Sequence, residues 1–320
     1  MTGRFFKLNS RSVLCFFKIL ISGVILFVLV QKISLSGLLR TMTSAEPLFV
    51  GAAFLLLPLN LLLQFGRWKL VVRRLQPDVK SRMIWSSLFI GISMGLATPA
   101  RLGDYARTLF VRDVDKPQLL GLFVVDKVIT WFVIYLLGAL GLLQFIPVLT
   151  RTRILMLVMG LGALFLVIAV VAYRRGFHVN PDHGKSDFLG RLLAGVGKMS
   201  RTLIQKLAAL SFIQVLTYCT QFYLLILAFD SITFFHAMSA AFAVMFIKTV
   251  FPLSFGDLGT REGAAIYFFG RFDVSSCRGV QCIAFIVFDQ YFNSRFDGYV
   301  CVSAFPESIP RESQCLMFFI

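Results

Sequence analysis

Two short stretches concentrate the residues able to do chemistry. TPARLGDYAR, at 98–107, carries Arg101, Gly103, Asp104 and Arg107. PLSFGDLGTREG, at 252–263, carries Pro252, Gly256, Asp257, Gly259, Arg261 and Glu262. Each follows an apolar run, and each combines a proline, a Gly-Asp pair and an arginine. Arginine beside carboxylates suits the capture of an anionic group, because its planar guanidinium gives two parallel hydrogen bonds to phosphate or carboxylate oxygens. The acidic neighbours would neutralise or orient those arginines. A plainer alternative keeps the charges in a polar loop, where an Asp104–Arg107 pair at i,i+3 adds only a few tenths of a kcal/mol.

The first stretch also writes a broken helix. Thr98 is a good N-cap and Pro99 suits a first helical position, where its missing N–H has no partner to lose. The sequence therefore predicts an apolar helix ending at Ala97 and a charged helix starting at once from Thr98. In a bilayer, two interrupted apolar segments in the two halves of a chain point to a site built between the breaks.

That setting follows from composition. The 320 residues are 58% hydrophobic and 15% charged, with 35 phenylalanines, far from the balance of a soluble domain. Uncharged runs at 47–65, 154–173 and 207–229 are long enough to cross the roughly 30 Å hydrocarbon layer, which takes about 20 helical residues. The fold class expected is all-α, a polytopic helical membrane protein of about six to eight spans with two re-entrant or broken elements. The formal charge of +16 would point to nucleic acid in a soluble protein. Here the basic residues lie in loops between apolar runs, which reads as positive-inside bias and attraction to anionic lipid, with no nucleic-acid partner.

Taken in order, 13–33 is a first span behind Arg4, Lys7 and Arg11, read as a retained anchor with a cytosolic N-terminus in the inner membrane. The second span carries Pro58 and Asn60, expected to face other helices, and ends at Arg67-Trp68 before a basic loop. The apolar piece 83–97 is only about 22 Å long at 1.5 Å per residue. The basic loops at 66–82 and 174–206 enclose three apolar pieces, and three crossings would put those loops on opposite sides. One piece must then fail to cross, so 83–112 is expected to be a hairpin that enters and leaves on the cytosolic side. Asp126 and Lys127 follow, near the start of a span at 119–146. Adjacent residues on a helix do not face each other, so they are either interfacial or reach partners such as the hairpin. Further on, 207–229 crosses outward and 237–250 returns carrying Lys248. Arg67, Asp126, Lys127 and Lys248 are thus supporting candidates for the site.

Other chemistry has weaker hooks. No pair among the six cysteines has metal-ligand or CxxC spacing, and His178 and His183 read as solvated surface, so neither a metal nor another cofactor is expected. No P-loop is present. Asp113-Val114-Asp115 is a lone DxD that could hold a divalent ion on a sugar nucleotide. Beyond 270 the chain changes character: 271–320 has no spanning run and is interrupted by Asp289, Arg295 and Asp297. It reads as an atypical tail beside a membrane domain at 1–270. One permissible set of codons for 280–305, read one base over, spells an uninterrupted apolar span, the pattern of a shifted frame.

The Arg67-Trp68 end of the second span, TPARLGDYAR and PLSFGDLGTREG together resemble the transmembrane region of lysylphosphatidylglycerol synthase, a family of flippase-like membrane proteins, over roughly residues 10–270. The resemblance implies a lipid translocase for an anionic or lipid-linked headgroup. It carries over Arg101, Gly103, Asp104 and Arg107 from the first element, and Pro252, Gly256, Gly259, Arg261 and Glu262 from the second. Asp257 departs from the family's usual glycine and alters the charge there. Complete synthases add a cytosolic domain that makes the aminoacylated lipid. Nothing after the membrane part is large enough to be that domain, so transport rather than catalysis is expected. The partners implied are membrane lipids, either anionic phospholipid or a polyprenyl-linked headgroup, and a separate lipid-modifying enzyme. An enzyme acting on polyprenyl-linked sugars and a scaffold for such an enzyme are the alternatives.

Overall fold

In the computed structural model, residues 46–98, 101–145, 188–250 and 260–272 are described, and among them every regular element is helical. The spans expected at 13–33 and 154–173, the histidines at 178 and 183, and the tail beyond 272 lie outside the described residues. The helices are α1 (Pro47–Arg73), α2 (Ser81–Ala97), a 3-10 turn (Leu102–Thr108), α3 (Lys116–Leu142), α4 (Phe188–Gly197), α5 (Arg201–Leu227), α6 (Phe234–Val250) and α7 (Thr260–Gly270).

Three of these, α1, α3 and α5, are 27 residues each and apolar enough to cross a membrane, with mean hydropathy of 2.1, 2.0 and 1.6 over their most apolar windows. At 1.5 Å per residue each runs about 40 Å. Only 6% of the α1 window is buried, and Leu48, Leu55 and Leu62 stand exposed along it. Such a surface is stable against lipid tails rather than water. The chain is a polytopic helical membrane protein.

Antiparallel pairing of α1 with α5 is fixed at both ends. The Glu46 N–H donates to the Ala228 carbonyl at 2.9 Å, and 28 positions later Arg74 Nε donates to the Lys198 carbonyl at 2.7 Å. Pro47 sits where α1 begins, a position needing no amide donor, and the helix continues through Pro58. Ser200 caps α5 by accepting from the Leu203 N–H at 3.3 Å. Glycines set the other close approaches. A methyl on Gly138 or Gly141 of α3 would press on Phe246, Phe242 and the Ser239 carbonyl of α6. The expected loop at 174–206 contains a helix, α4. Its Gly195 and Gly121 of α3 face each other's backbones, where any side chain would strike the Gln118 and Leu192 carbonyls.

Two apolar clusters result. One joins Trp68, Val71, Ile84, Leu88, Phe123 and Leu207 around α1, α2, α3 and α5. The other joins Ile134, Phe222, Ala240, Val244 and Phe269 around α3, α5, α6 and α7. The polar residues collect between them.

Candidate functional site

The sequence after α2 folds back along it. As expected, α2 ends at Ala97, but the charged helix does not start at Thr98. Thr98 is the extended C-cap of α2, and its hydroxyl donates to the Met94 carbonyl at 2.9 Å while accepting from the Gly103 N–H at 2.6 Å. It still satisfies a first-turn amide, from five residues away. The new element is a seven-residue 3-10 turn capped by Arg101, whose φ of 54° and ψ of 32° lie in the left-handed region. A side-chain-bearing residue there costs roughly 1–2 kcal/mol, a strain held by the packing on either side.

That packing uses glycines as slots. Gly103 lies so close to the Met94 carbonyl that no Cβ fits. On α2, Gly95 faces the Asp104 carboxylate, and one turn earlier Gly91 faces the Arg107 guanidinium. Residues advancing along the turn thus meet residues receding along α2, which is a hairpin.

Around the hairpin the charges are paired. Asp104, 4% exposed, receives Lys127 Nζ of α3 at 2.6 Å and has Arg107 Nη2 at 3.6 Å. Arg107 also donates from Nε to the Asp104 carbonyl at 3.0 Å, and its guanidinium lies 4.8 Å from the Phe123 ring centre and 5.7 Å from that of Trp68. Lys127 Nζ sits 5.3 Å from the same Phe123 ring. One aromatic ring therefore holds two cations by cation–π attraction. A second pair lies beside the first. Arg67 of α1 donates from Nε and Nη2 to one Asp126 oxygen at 3.1 and 2.7 Å, from Nη1 to Gln214 at 2.6 Å, and also to Thr130. Asp126 and Lys127 therefore reach partners on other elements, Arg67 of α1 and Asp104 of the hairpin.

These groups line a cavity of about 200 Å³. Arg67, Arg101, Arg107, Lys127 and Lys248 supply its cations, and Asp104 and Asp126 are its carboxylates among the described residues, a formal excess of three positive charges. Beyond the charged end stand neutral polar groups: Asn60 and Gln64 of α1, Thr130 of α3, and Gln214, Tyr218 and Gln221 of α5. Asn60 does face another helix, accepting from Gln214 Nε2 at 3.3 Å.

The cavity thus brings together Arg101, Asp104, Arg107, Arg67, Asp126, Lys127 and Lys248. Gly103 supports it from behind. Arg261 of α7 is 1% exposed and is not among the lining residues of this cavity. Pro252, Gly256, Asp257 and Gly259 lie outside the described residues, and Glu262 is placed by its backbone on α7. Sequence reasoning named Asn60 and Arg67 but not the polar stripes they belong to. Asn60, Gln64 and Arg67 on α1, and Ser211, Gln214, Tyr218 and Gln221 on α5, recur at the three-to-four spacing of one helix face inside otherwise apolar runs.

The enzyme-like DxD is drawn elsewhere. Asp115 stands at the N-cap position of α3 with its carboxylate turned to Arg191 of α4 at 2.6 Å, and Asp113 takes a left-handed φ of 57°.

No curated protein and no solved structure matches the chain. A match to the family described as "Lysylphosphatidylglycerol synthase TM region" covers residues 15–293, running past the expected boundary at 270. By that match and its helical, lipid-suited architecture, the chain belongs to the lysylphosphatidylglycerol synthase transmembrane-region family.

Proposed function

We propose that the protein is a lipid translocase that passes an anionic headgroup through the cavity between α1, α3, α5 and the hairpin, in the inner membrane and with its N-terminus cytosolic. The observation that carries this reading is a cavity inside the bundle on which Arg67, Arg101, Arg107, Lys127 and Lys248 converge. A charge at membrane depth is costly, about 2.5–3.5 kcal/mol on insertion scales, and an anionic headgroup is the occupant that such a gathering of cations favours. The cavity wall on α1 runs from Leu57 to Trp68, about 16 Å at 1.5 Å per residue, half of a roughly 30 Å hydrocarbon layer. A headgroup could travel that distance in polar surroundings while its acyl chains stay in lipid beside the exposed α1.

In this account Arg101, Arg107 and Lys127 receive the phosphate, with Phe123 and Asp104 fixing the last two. Arg67 and Asp126 lock α1 to α3 as the cavity wall. Movement without a nucleotide site runs down a lipid or ion gradient. The cargo is an anionic phospholipid or a polyprenyl-linked headgroup, handed over by a separate lipid-modifying enzyme.

The test is headgroup accessibility in proteoliposomes carrying tail-anchored fluorescent anionic phospholipid and a membrane-impermeant reductant. The wild type is expected to bleach inner-leaflet probe, and Arg107→Gln and Lys127→Gln to slow it about tenfold or more, the scale of one lost charge-assisted hydrogen bond. Bleaching no faster than in protein-free vesicles, across several anionic lipids, would overturn the reading.

A further inference from the structure

Tyr218 of α5 is 7% exposed and lines the cavity, and its hydroxyl makes no hydrogen bond in the protein. Buried hydroxyls are almost always paired, so an orphan facing a cavity marks a place where something else binds. The ring that carries it is held in place: its centre lies 5.2 Å from that of Phe222, and Lys248 Nζ of α6 stands 5.7 Å from it. A phenol can donate and an ammonium only donates, so the group that both can face is an acceptor, and phosphate oxygens accept on every side. This holds whatever other contacts Lys248 makes, because an ammonium carries three N–H bonds.

Depth gives the hydroxyl a role. Helices α3 and α5 run side by side in the same direction, since Phe123 shares one apolar cluster with Leu207, and Leu137 shares the other with Tyr218. The Thr130 and Ser211 hydroxyls, 3.4 Å apart, mark a common level on the two helices. Lys127 lies three residues before that level and Tyr218 seven residues beyond it, so at 1.5 Å per residue they are about 15 Å apart along the bundle. That is half of a roughly 30 Å hydrocarbon layer.

We propose that Tyr218 is a second contact for the travelling headgroup, its hydroxyl donating a hydrogen bond to a phosphate oxygen once the phosphate has left the end formed by Arg107 and Lys127. The inference rests on the translocase reading and adds a step to it. A phosphate passing the apolar surroundings of Leu137 with no donor in reach would bear the full cost of a charge at membrane depth. One hydroxyl aimed at it lowers that barrier, yet holds the phosphate less tightly than a guanidinium fork and so lets it go.

The experiment compares wild type with Tyr218→Phe in proteoliposomes by two readouts: bleaching of tail-labelled phosphatidylglycerol by an impermeant reductant, and cross-linking by phosphatidylglycerol bearing a photoactivatable headgroup. Phenylalanine keeps the ring and removes only a hydroxyl with no protein partner, so the melting temperature is expected to stay the same. Transport is expected to slow about tenfold, the scale of one hydrogen bond to a charged group. Adducts on Ile92, a cavity residue of α2, are expected to persist, while those on Met245, one turn before Lys248, fall. A wild-type rate and adduct pattern in the variant, an equal loss of adducts at both positions, or a lowered melting temperature would overturn the second contact while leaving the translocase reading in place. A wild type that moves no lipid and gives no adduct in the cavity would overturn both.

Discussion

Lys127 of α3 meets Asp104 of the 3-10 turn at 2.6 Å across 23 residues of chain, and this ion pair closes the hairpin onto a spanning helix. Its two ends are unequal. The Asp104 side chain is 5% exposed and faces both Lys127 and Arg107, whereas the Lys127 side chain is 27% exposed. Removing the carboxylate leaves two cations confronting each other in a dry setting. Removing the lysine leaves Asp104 with Arg107.

Asp104→Asn is therefore expected to destabilise the protein in detergent by roughly 3 kcal/mol, the lower end for breaking a buried pair. Lys127→Gln should cost about 1 kcal/mol, because its exposure admits solvent screening. Thermal or denaturant unfolding of both variants measures the order. A Lys127→Gln variant less stable than Asp104→Asn would contradict it.

The glycines divide into two groups that alanine substitution separates. Gly95 and Gly103 have no room for a Cβ against Asp104 and the Met94 backbone, while Gly51 has nothing within 4 Å and Gly66 likewise. Gly51→Ala and Gly66→Ala are expected to be neutral or stabilising by up to about 1 kcal/mol, from helix propensity. Gly95→Ala and Gly103→Ala should each lose about 1–3 kcal/mol through overpacking and separate the hairpin from α2. Melting temperatures of the four variants decide it.

Much of this was legible in the sequence, for a physical reason. Spanning helices must carry long apolar runs, so α1, α3 and α5 announce themselves, and the charges at Arg101, Asp104, Arg107, Asp126 and Lys127 stand out because charge is rare in such runs. What the sequence did not show was pairing over distance. Nothing local tells Asp126 to meet Arg67, 59 residues earlier, rather than water. The Thr98 cap failed for a similar reason: its hydroxyl has two suitors, and tertiary packing gave it to Met94 and Gly103. The helix α4 was hidden by basic residues at 174–206 that read as loop, although its backbone docks on α3 through Gly121 and Gly195.

The re-entrant topology proposed for α2 and the 3-10 turn places the loops on either side of them together. Asp78, Arg112 and Ser231 are exposed. Single cysteines at these positions in a cysteine-free background, Asp78→Cys, Arg112→Cys and Ser231→Cys, can be labelled with an impermeant maleimide on sealed vesicles of known orientation. The first two are expected to react from one side and the third from the other. Labelling of positions 78 and 112 from opposite sides would make α2 a full crossing and remove the hairpin from the account.

The central claim, that a lipid headgroup enters the cavity, is tested most directly by a headgroup-photoactivatable anionic phospholipid cross-linked in proteoliposomes and mapped by mass spectrometry. The account predicts adducts on cavity-lining residues such as Gln64, Ile92 and Met245, competed by unlabelled anionic lipid and diminished in Arg107→Gln. Adducts confined to the outward-facing Leu55, Leu62 and Leu136, with the cavity unlabelled, would contradict it.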